Sequence, residues 1–189
     1  MSRHRQLSGD VPAVVLSKRV AHALRHAPWL YELELDPEGW VPVEQLLAAL
    51  RTSGPAWRNL GPGDLARMVE GSSKRRFELT GGRIRALYGH SVPGRIARTP
   101  AQPPDLLFHG TAAASVPAIL EAGLRSMRRQ YVHLSVDELT ARQVGQRKSR
   151  RPVVLRVHAG AAHAAGVAFF RGNEAVWLAD HVPPGFLTR

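Results

Sequence analysis

The sequence has no cysteine and only three lysines, Lys18, Lys74 and Lys148. Without thiols there are no disulfide frameworks, no thiolate zinc sites and no cysteine nucleophiles. No apolar run approaches the roughly 18 residues of a membrane span. The opening stretch MSRHRQLSGD lacks the apolar middle of a secretory signal. These absences set the expectation of a cytoplasmic protein that does not associate with membranes. What is present is 189 residues with 44% hydrophobic content, enough to fill a core in one generous domain or two small ones.

Lys and Arg total 26 against 15 Asp and Glu, a formal net charge of +11, and 23 of those cations are arginine. Such an arginine-for-lysine skew, alongside heavy Ala, Gly and Pro use, is often what a GC-rich coding bias produces. Such a surplus on a small chain still favours an anionic partner, nucleic acid or another phosphate-bearing substrate. Arginine forks two donors towards phosphate oxygens, which lysine cannot do.

The composition breaks at SVPGRIARTPAQPPD, residues 91–105, which holds four of the fourteen prolines and reads as a linker. The boundary is expected between two lobes, 1–98 and 99–189. Before it, residues 11–26 place Val15, Leu16, Val20, Ala23 and Leu24 at helical spacing, with Pro28 ending the helix at about Ala27. Asp36-Pro37-Glu38-Gly39 signals a turn into Trp40-Val41, and residues 43–50 form a short amphipathic helix. Asp64 is the expected cap of a further helix stopped by Gly71. Two strand-like runs around Thr80-Gly81-Gly82 predict a β-hairpin. Three short helices followed by a hairpin is the pattern of a winged helix, a module that binds nucleic acid or serves as a protein–protein domain.

The second half predicts a compact, β-rich lobe, and the whole an α+β fold. Leu106-Leu107-Phe108 is a short strand running into His109-Gly110-Thr111, and residues 113–122 suit a helix stopped at Gly123. Residues 131–134 form a strand, and Ser135-Val136-Asp137-Glu138 matches a capping box for the next helix. Residues 152–157 and 175–178 supply further strands.

Several residue types suit phosphate chemistry. His22 and His26 stand four apart on the first helix, but no nearby carboxylate or third ligand joins them, so no metal is expected. Arg25-His26 falls at a helix C-terminus, where exposed carbonyls favour positive charge. The pair offers one permanent charge and one transferable proton for gripping and protonating a phosphate, although both are also ordinary helix-end residues. Gly110, at a strand end, would let a ligand approach the backbone, and it equally fits a plain turn. His133 should face opposite to Val132 and Leu134, as a packed histidine or a ligand contact. Arg128-Arg129 could bring guanidiniums to the same strand or form a solvated pair. Arg76 is one more cation beside Lys74 and Arg75. His158, His163 and His181 read as surface or packing residues.

The order of these motifs is more telling than any one of them. Leu16-Ser17-Lys18, Leu24-Arg25-His26-Ala27-Pro28, Leu35-Asp36 and Gly39-Trp40-Val41 are followed by Lys74-Arg75-Arg76-Phe77, Ile84-Arg85-Ala86 and Gly89-His90-Ser91. Phe108-His109-Gly110-Thr111, Gly123-Leu124, Tyr131-Val132-His133-Leu134-Ser135, Val144-Gly145, Arg147, the strand at 152–155 and Ala175-Val176-Trp177-Leu178 complete the series. In this order the chain resembles the RNA 2′-phosphotransferase family, tRNA-splicing enzymes that consume NAD+, over nearly its full length.

The resemblance implies a winged-helix RNA-binding lobe followed by an ADP-ribosyltransferase-like NAD lobe. It implies transfer of an internal 2′-phosphate of RNA to NAD+ through an ADP-ribosylated RNA phosphate. The products would be 2′-OH RNA, ADP-ribose 1″,2″-cyclic phosphate and nicotinamide, with NAD+ a consumed co-substrate. The implied catalytic group is Arg25, His26, Arg76 and Arg129. NAD+ would contact His109, Gly110, Thr111, His133, Ser135 and Val176, the last an apolar residue where many ADP-ribosyltransferases carry a glutamate. A phosphate nucleophile is already anionic and needs no base there. Arg85, His90 and Ser91 are implied contacts to RNA or phosphate, and no obligatory protein partner is implied. The chain departs from the family at Tyr88, where a Gln is usual, at Ala175, and around Glu32, where a Gly is usual. Two readings compete: an ADP-ribosyltransferase acting on nucleic-acid phosphate ends, and a non-catalytic winged-helix nucleic-acid-binding protein.

Overall fold

The computed structural model describes residues 11–189. The chain divides into two compact units, one ending at Ala97 and the other spanning Arg98–Arg189. Both mix helices with antiparallel strands, an α+β fold.

In the first unit, α1 (Ala13–Arg25) buries Leu16, Val20, Ala23 and Leu24, which the helical repeat brings to one face. Val15, expected in that stripe, points outward and is 44% exposed, because it sits a full residue step off that face. The helix stops one residue short of His26, and Ala27 is pushed to φ −147° ahead of Pro28. A 3-10 turn over Pro28–Tyr31 then closes on Glu32 at φ 52° and ψ 36°. Glu32 is the one described non-glycine residue with positive φ.

Asp36 organises the next turn. Its Oδ1 accepts the Glu38 N–H at 3.0 Å and the Trp40 N–H at 2.8 Å, and its Oδ2 takes the Arg83 guanidinium at 2.5 Å. Burial pushes the Asp36 carboxyl up, but these donors outweigh it and hold it below the ordinary value. β1 (Trp40–Pro42) leads directly into α2 (Val43–Arg51), and α3 (Pro62–Glu70) follows. Asp64 is not the N-cap of α3. It occupies the third helical position and reaches back to the Gly61 N–H at 2.8 Å, because Pro62 at the first position starts the helix three residues earlier than expected.

β2 (Phe77–Thr80) and β3 (Arg83–Ala86) form the hairpin, with Gly81 and Gly82 at φ 55° and 70°. A two-residue turn that matches strand twist needs positive φ at both positions, which glycine adopts without strain. The sheet order is β1-β3-β2, and its inner face packs with α1, α2 and α3 around Leu16, Leu24, Leu46, Leu47, Leu50, Leu65 and Ile84.

The second unit begins with β4 (Leu107–Ala112), a 3-10 turn and the short α4 (Val116–Ala122). β5 (Leu124–Arg125), β6 (Val132–Ser135), α5 (Glu138–Gly145), β7 (Pro152–Val157) and α6 (Ala159–Ala164) follow. β8 (Phe169–Arg171), β9 (Val176–Ala179), β10 (His181–Val182) and β11 (Leu187–Thr188) complete the chain. Six strands form one sheet in the order β11-β7-β4-β6-β9-β8, while β5 and β10 pair separately. The cap of α5 is Asp137 rather than Ser135: its carboxylate accepts the Thr140 N–H at 2.7 Å and the Thr140 hydroxyl at 2.8 Å. Those bonds hold the Asp137 carboxyl below its ordinary value. Ser135 is left at the end of β6, buried in the sheet. The apolar core gathers Leu107, Val132, Leu134, Val157, Phe169, Trp177 and Ala179.

Candidate functional site

The first cluster lies in the first unit, where the end of α1 meets the start of β2 and the chain after β3. Arg25 is the last residue of α1, and its Nη2 donates to the Arg76 carbonyl at 3.2 Å. Its guanidinium also lies over two rings, 5.4 Å from the Phe77 centroid and 5.1 Å from that of Tyr88. A planar cation between aromatic faces is held electrostatically and sterically at once. Arg25 is thus fixed before any ligand arrives. The Ser91 N–H caps the Arg25 carbonyl at 2.8 Å, and the Ser91 hydroxyl meets His26 Nδ1 at 2.8 Å. His26 itself is exposed at the helix end.

Arg76 joins this cluster through its backbone as well as its side chain. Its carbonyl accepts from Arg25 and from the Leu87 N–H at 2.9 Å, while its Nη1 donates to Ser72 Oγ at 3.1 Å. The Arg25-His26 pair, Arg76 and Ser91, far apart in sequence, are therefore neighbours. Ser72 and Tyr88 complete the support. Nothing in the sequence marks Ser72, whereas Tyr88 stood out only as a departure from the family pattern.

The other two expected phosphate contacts, His90 and Arg85, are held as follows. His90 is buried, with its Nε2 facing Gly39 at 3.6 Å from where a side chain on that glycine would begin. Arg85 is committed to carboxylates: its Nη2 is 2.7 Å from Glu78, its Nη1 3.4 Å from Glu38, and its guanidinium 4.4 Å from the Trp40 centroid. His22, four residues before His26, pairs through Nδ1 with the Tyr31 hydroxyl at 3.1 Å.

The second cluster is built on β4 and β6 of the second unit. β4 pairs with β7 at six positions, but with β6 only at Phe108 and Ser135. Where that ladder ends, the His109 ring takes over, with Nδ1 3.0 Å from the His133 carbonyl. A carbonyl can only accept, so Nδ1 carries the proton. Burial, reinforced by the positive charge of Lys148, holds His109 below its ordinary titration range despite that bond, and the ring is neutral. Nε2 therefore presents a lone pair. His133 likewise donates from Nδ1 to the Tyr131 carbonyl at 3.0 Å. Thr111 and Ser135 bring buried hydroxyls, and Val176 pairs directly with Ser135 across β9. Arg129 is exposed in the segment just before β6, next to Arg128.

Gly110 has a structural reason that the sequence does not reveal. A Cβ there would run into the carbonyl of Ala141 on α5, 2.7 Å from its carbon, and lie 3.0 Å from the Gly145 nitrogen. Gly145 in turn faces Pro152, which a Cβ on it would meet at 2.7 Å. The space beside Gly110 belongs to the backbone of α5.

The sequence model described as "RNA 2′-phosphotransferase, Tpt1 / KptA family" matches residues 11–181. The chain belongs to the RNA 2′-phosphotransferase family. It is 51% identical over 172 residues to a "Probable RNA 2′-phosphotransferase" of Acetivibrio thermocellus, covering 91% of this chain and 94% of that protein. Identity to the protein of the same name in Bacillus thuringiensis subsp. konkukian is 52% over 172 residues, 91% of this chain and 92% of the other. With that of Rhizobium rhizogenes it is 44% over 173 residues, 92% and 91%. Tyr88 lies on the face of the Arg25 guanidinium, and Glu32 sits in the left-handed turn. Among the described residues, no helix is long and apolar enough to cross a membrane.

Proposed function

We propose that the chain removes an internal 2′-phosphate from RNA by transferring it to NAD+, yielding 2′-OH RNA, ADP-ribose 1″,2″-cyclic phosphate and nicotinamide. The observation that carries this reading is the preformed cluster of Arg25, His26, Arg76 and Ser91, in a chain of the RNA 2′-phosphotransferase family. The helices and hairpin of the first unit suit a winged-helix RNA-binding lobe, and the second unit an ADP-ribosyltransferase-like one.

In the first step an oxygen of the RNA 2′-phosphate attacks the ribose carbon that bears nicotinamide. The carbon–nitrogen bond breaks, and its electron pair leaves with neutral nicotinamide. Arg25 and Arg76 hold the phosphate in place for this attack, and its charge makes a general base unnecessary. That agrees with an apolar Val176 beside Ser135. In the second step the neighbouring ribose hydroxyl attacks phosphorus, and the bond to the RNA 2′-oxygen breaks. The hydroxyl proton leaves and the RNA oxygen gains one, a transfer that His26 can serve at Nε2 while Nδ1 engages Ser91. Charge then gathers on the phosphoryl oxygens, where the guanidiniums of Arg25 and Arg76 stabilise it.

The donor set of the second unit fits a ribose-bearing co-substrate. His109 Nε2 is an acceptor for a sugar hydroxyl, because Nδ1 is occupied and the ring neutral. The hydroxyls of Thr111 and Ser135, with His133, add polar groups to an otherwise apolar sheet.

Arg76→Ala tests the assignment. The backbone carbonyl that binds Arg25 and Leu87 survives the substitution, and only the bond to Ser72 is lost, so the fold should hold. The second step should slow by roughly 10²-fold or more, with ADP-ribosylated RNA accumulating, as for loss of one transition-state donor. An unchanged rate of 2′-phosphate removal from a short 2′-phosphorylated RNA would overturn the reading. A lasting ADP-ribose adduct made by the unaltered protein would point instead to transfer onto nucleic-acid phosphates without the second step.

A further inference from the structure

A groove of about 330 Å³ opens on the first unit beside α1, lined by Arg19, His22, Leu30, Tyr31, Glu32 and Thr52 among others. It adjoins the phosphate cluster. His22 and His26 are one turn apart on α1 with ring centroids 6.4 Å apart, and His22 packs edge-on against Tyr31 at 5.8 Å. Leu30 is 68% exposed and Trp29 56%, both on the 3-10 turn that follows Arg25-His26. Two adjacent large apolar side chains in water at the edge of a groove offer apolar surface to a ligand.

We infer that this groove receives one base of the RNA, from a nucleotide flanking the 2′-phosphorylated one. The inference rests on the RNA-phosphate reading of the Arg25, His26 and Arg76 cluster. The volume lies at the lower end of the roughly 300–1,000 Å³ of ligand pockets, which suits one base and its sugar and not a dinucleotide. Tyr31, His22 and Leu30 offer flat and apolar surfaces of the kind on which unstacked bases rest. Arg19 brings positive charge for the adjoining backbone. Glu32 would repel a phosphate inside the groove, yet its carboxylate accepts an N–H from a base edge.

Glu32 supplies the independent observation. It holds the left-handed conformation that a glycine would occupy without strain, and it faces the groove. A strained side chain persists where the surrounding structure determines it, and such outliers gather at ligand clamps. A carboxylate aimed at a base accounts for keeping glutamate at that turn.

Binding of a fluorescent RNA hexamer with one central 2′-phosphate, measured by anisotropy without NAD+, tests this directly. Abasic replacement at each flanking position in turn should weaken binding at one of them by roughly fivefold or more, the lower range for loss of one stacked base. In Leu30→Asp and in Glu32→Gly, the same abasic change should cost less than twofold, and Glu32→Gly should also melt higher than the unaltered protein. A flat abasic scan, or a penalty that persists in both variants, overturns the inference. The hexamer without its 2′-phosphate separates the two readings. If it binds as tightly as the phosphorylated one, the phosphate reading fails, while a base penalty in both RNAs still supports the groove.

Discussion

Replacing Gly110 with alanine asks whether that glycine serves a ligand or a helix. A Cβ at 110 would stand 2.7 Å from the Ala141 carbonyl carbon and 3.0 Å from the Gly145 nitrogen. Ordinary contact between carbons is about 3.5–4.0 Å, so α5 would have to retreat by about 1 Å at two points of its backbone. The helix is seated on the sheet at a second glycine too, since a Cβ at 145 would meet Pro152 at 2.7 Å and the Gly110 carbonyl carbon at 3.0 Å. Backbone cannot rotate away as a flexible side chain can, and the cost should lie near the top of the overpacking range, about 3 kcal/mol. For a unit of this size that corresponds to a fall in Tm of roughly 10–20 °C. Thermal unfolding, with hydrogen exchange followed over residues 107–112 and 138–145, would show the loss and locate it. Stability within about 0.5 kcal/mol of the unaltered chain would refute the packing argument. If NAD+ affinity fell while stability held, the glycine would be there for the ligand.

Two further perturbations follow from the second unit. His109 has a depressed folded pKa, so in acid the unfolded chain binds the proton more readily than the folded one; stability is full above the ordinary value near 6.5 and falls as the pH drops below it. Melting between pH 7 and pH 5 should show that fall. The slope should shrink in His109→Asn, whose amide keeps a donor near the His133 carbonyl but takes no proton, and an equal slope in both proteins would contradict the buried neutral ring. Asp137→Ala should cost about 1 kcal/mol by removing the α5 cap, measured by denaturant unfolding, and an effect below the error of that titration would deny Asp137 the capping role.

Features set by short-range chemistry were legible in the sequence. Gly81-Gly82 between two apolar-alternating runs has one favourable geometry, and Pro28 limits α1 whatever packs against it. The Arg25-His26 pair could be placed at a helix end for the same reason. Features set by contacts across the fold were not legible. Ser135 and Asp137 are both good caps, and only the end of β6 decides between them. Arg85 looks like any other cation until Glu78 is brought opposite on β2. His90 and Gly110 sit in motif-like stretches whose surroundings come from Gly39 and from α5. Glu32 and Tyr88 could be recognised as unusual, but a twisted turn and a stacked guanidinium exist only in three dimensions.

The six-stranded sheet of the second unit consists of two triplets, β11-β7-β4 and β6-β9-β8, joined by a single rung at Phe108 and Ser135. Each triplet keeps its own ladder, so across the seam backbone pairing gives way to the His109 imidazole bond and to the apolar core that Leu107 and Val157 share with Leu134 and Trp177. The two leaves of the lobe are thus joined less by a spine of amide rungs than by the oil pressed between them.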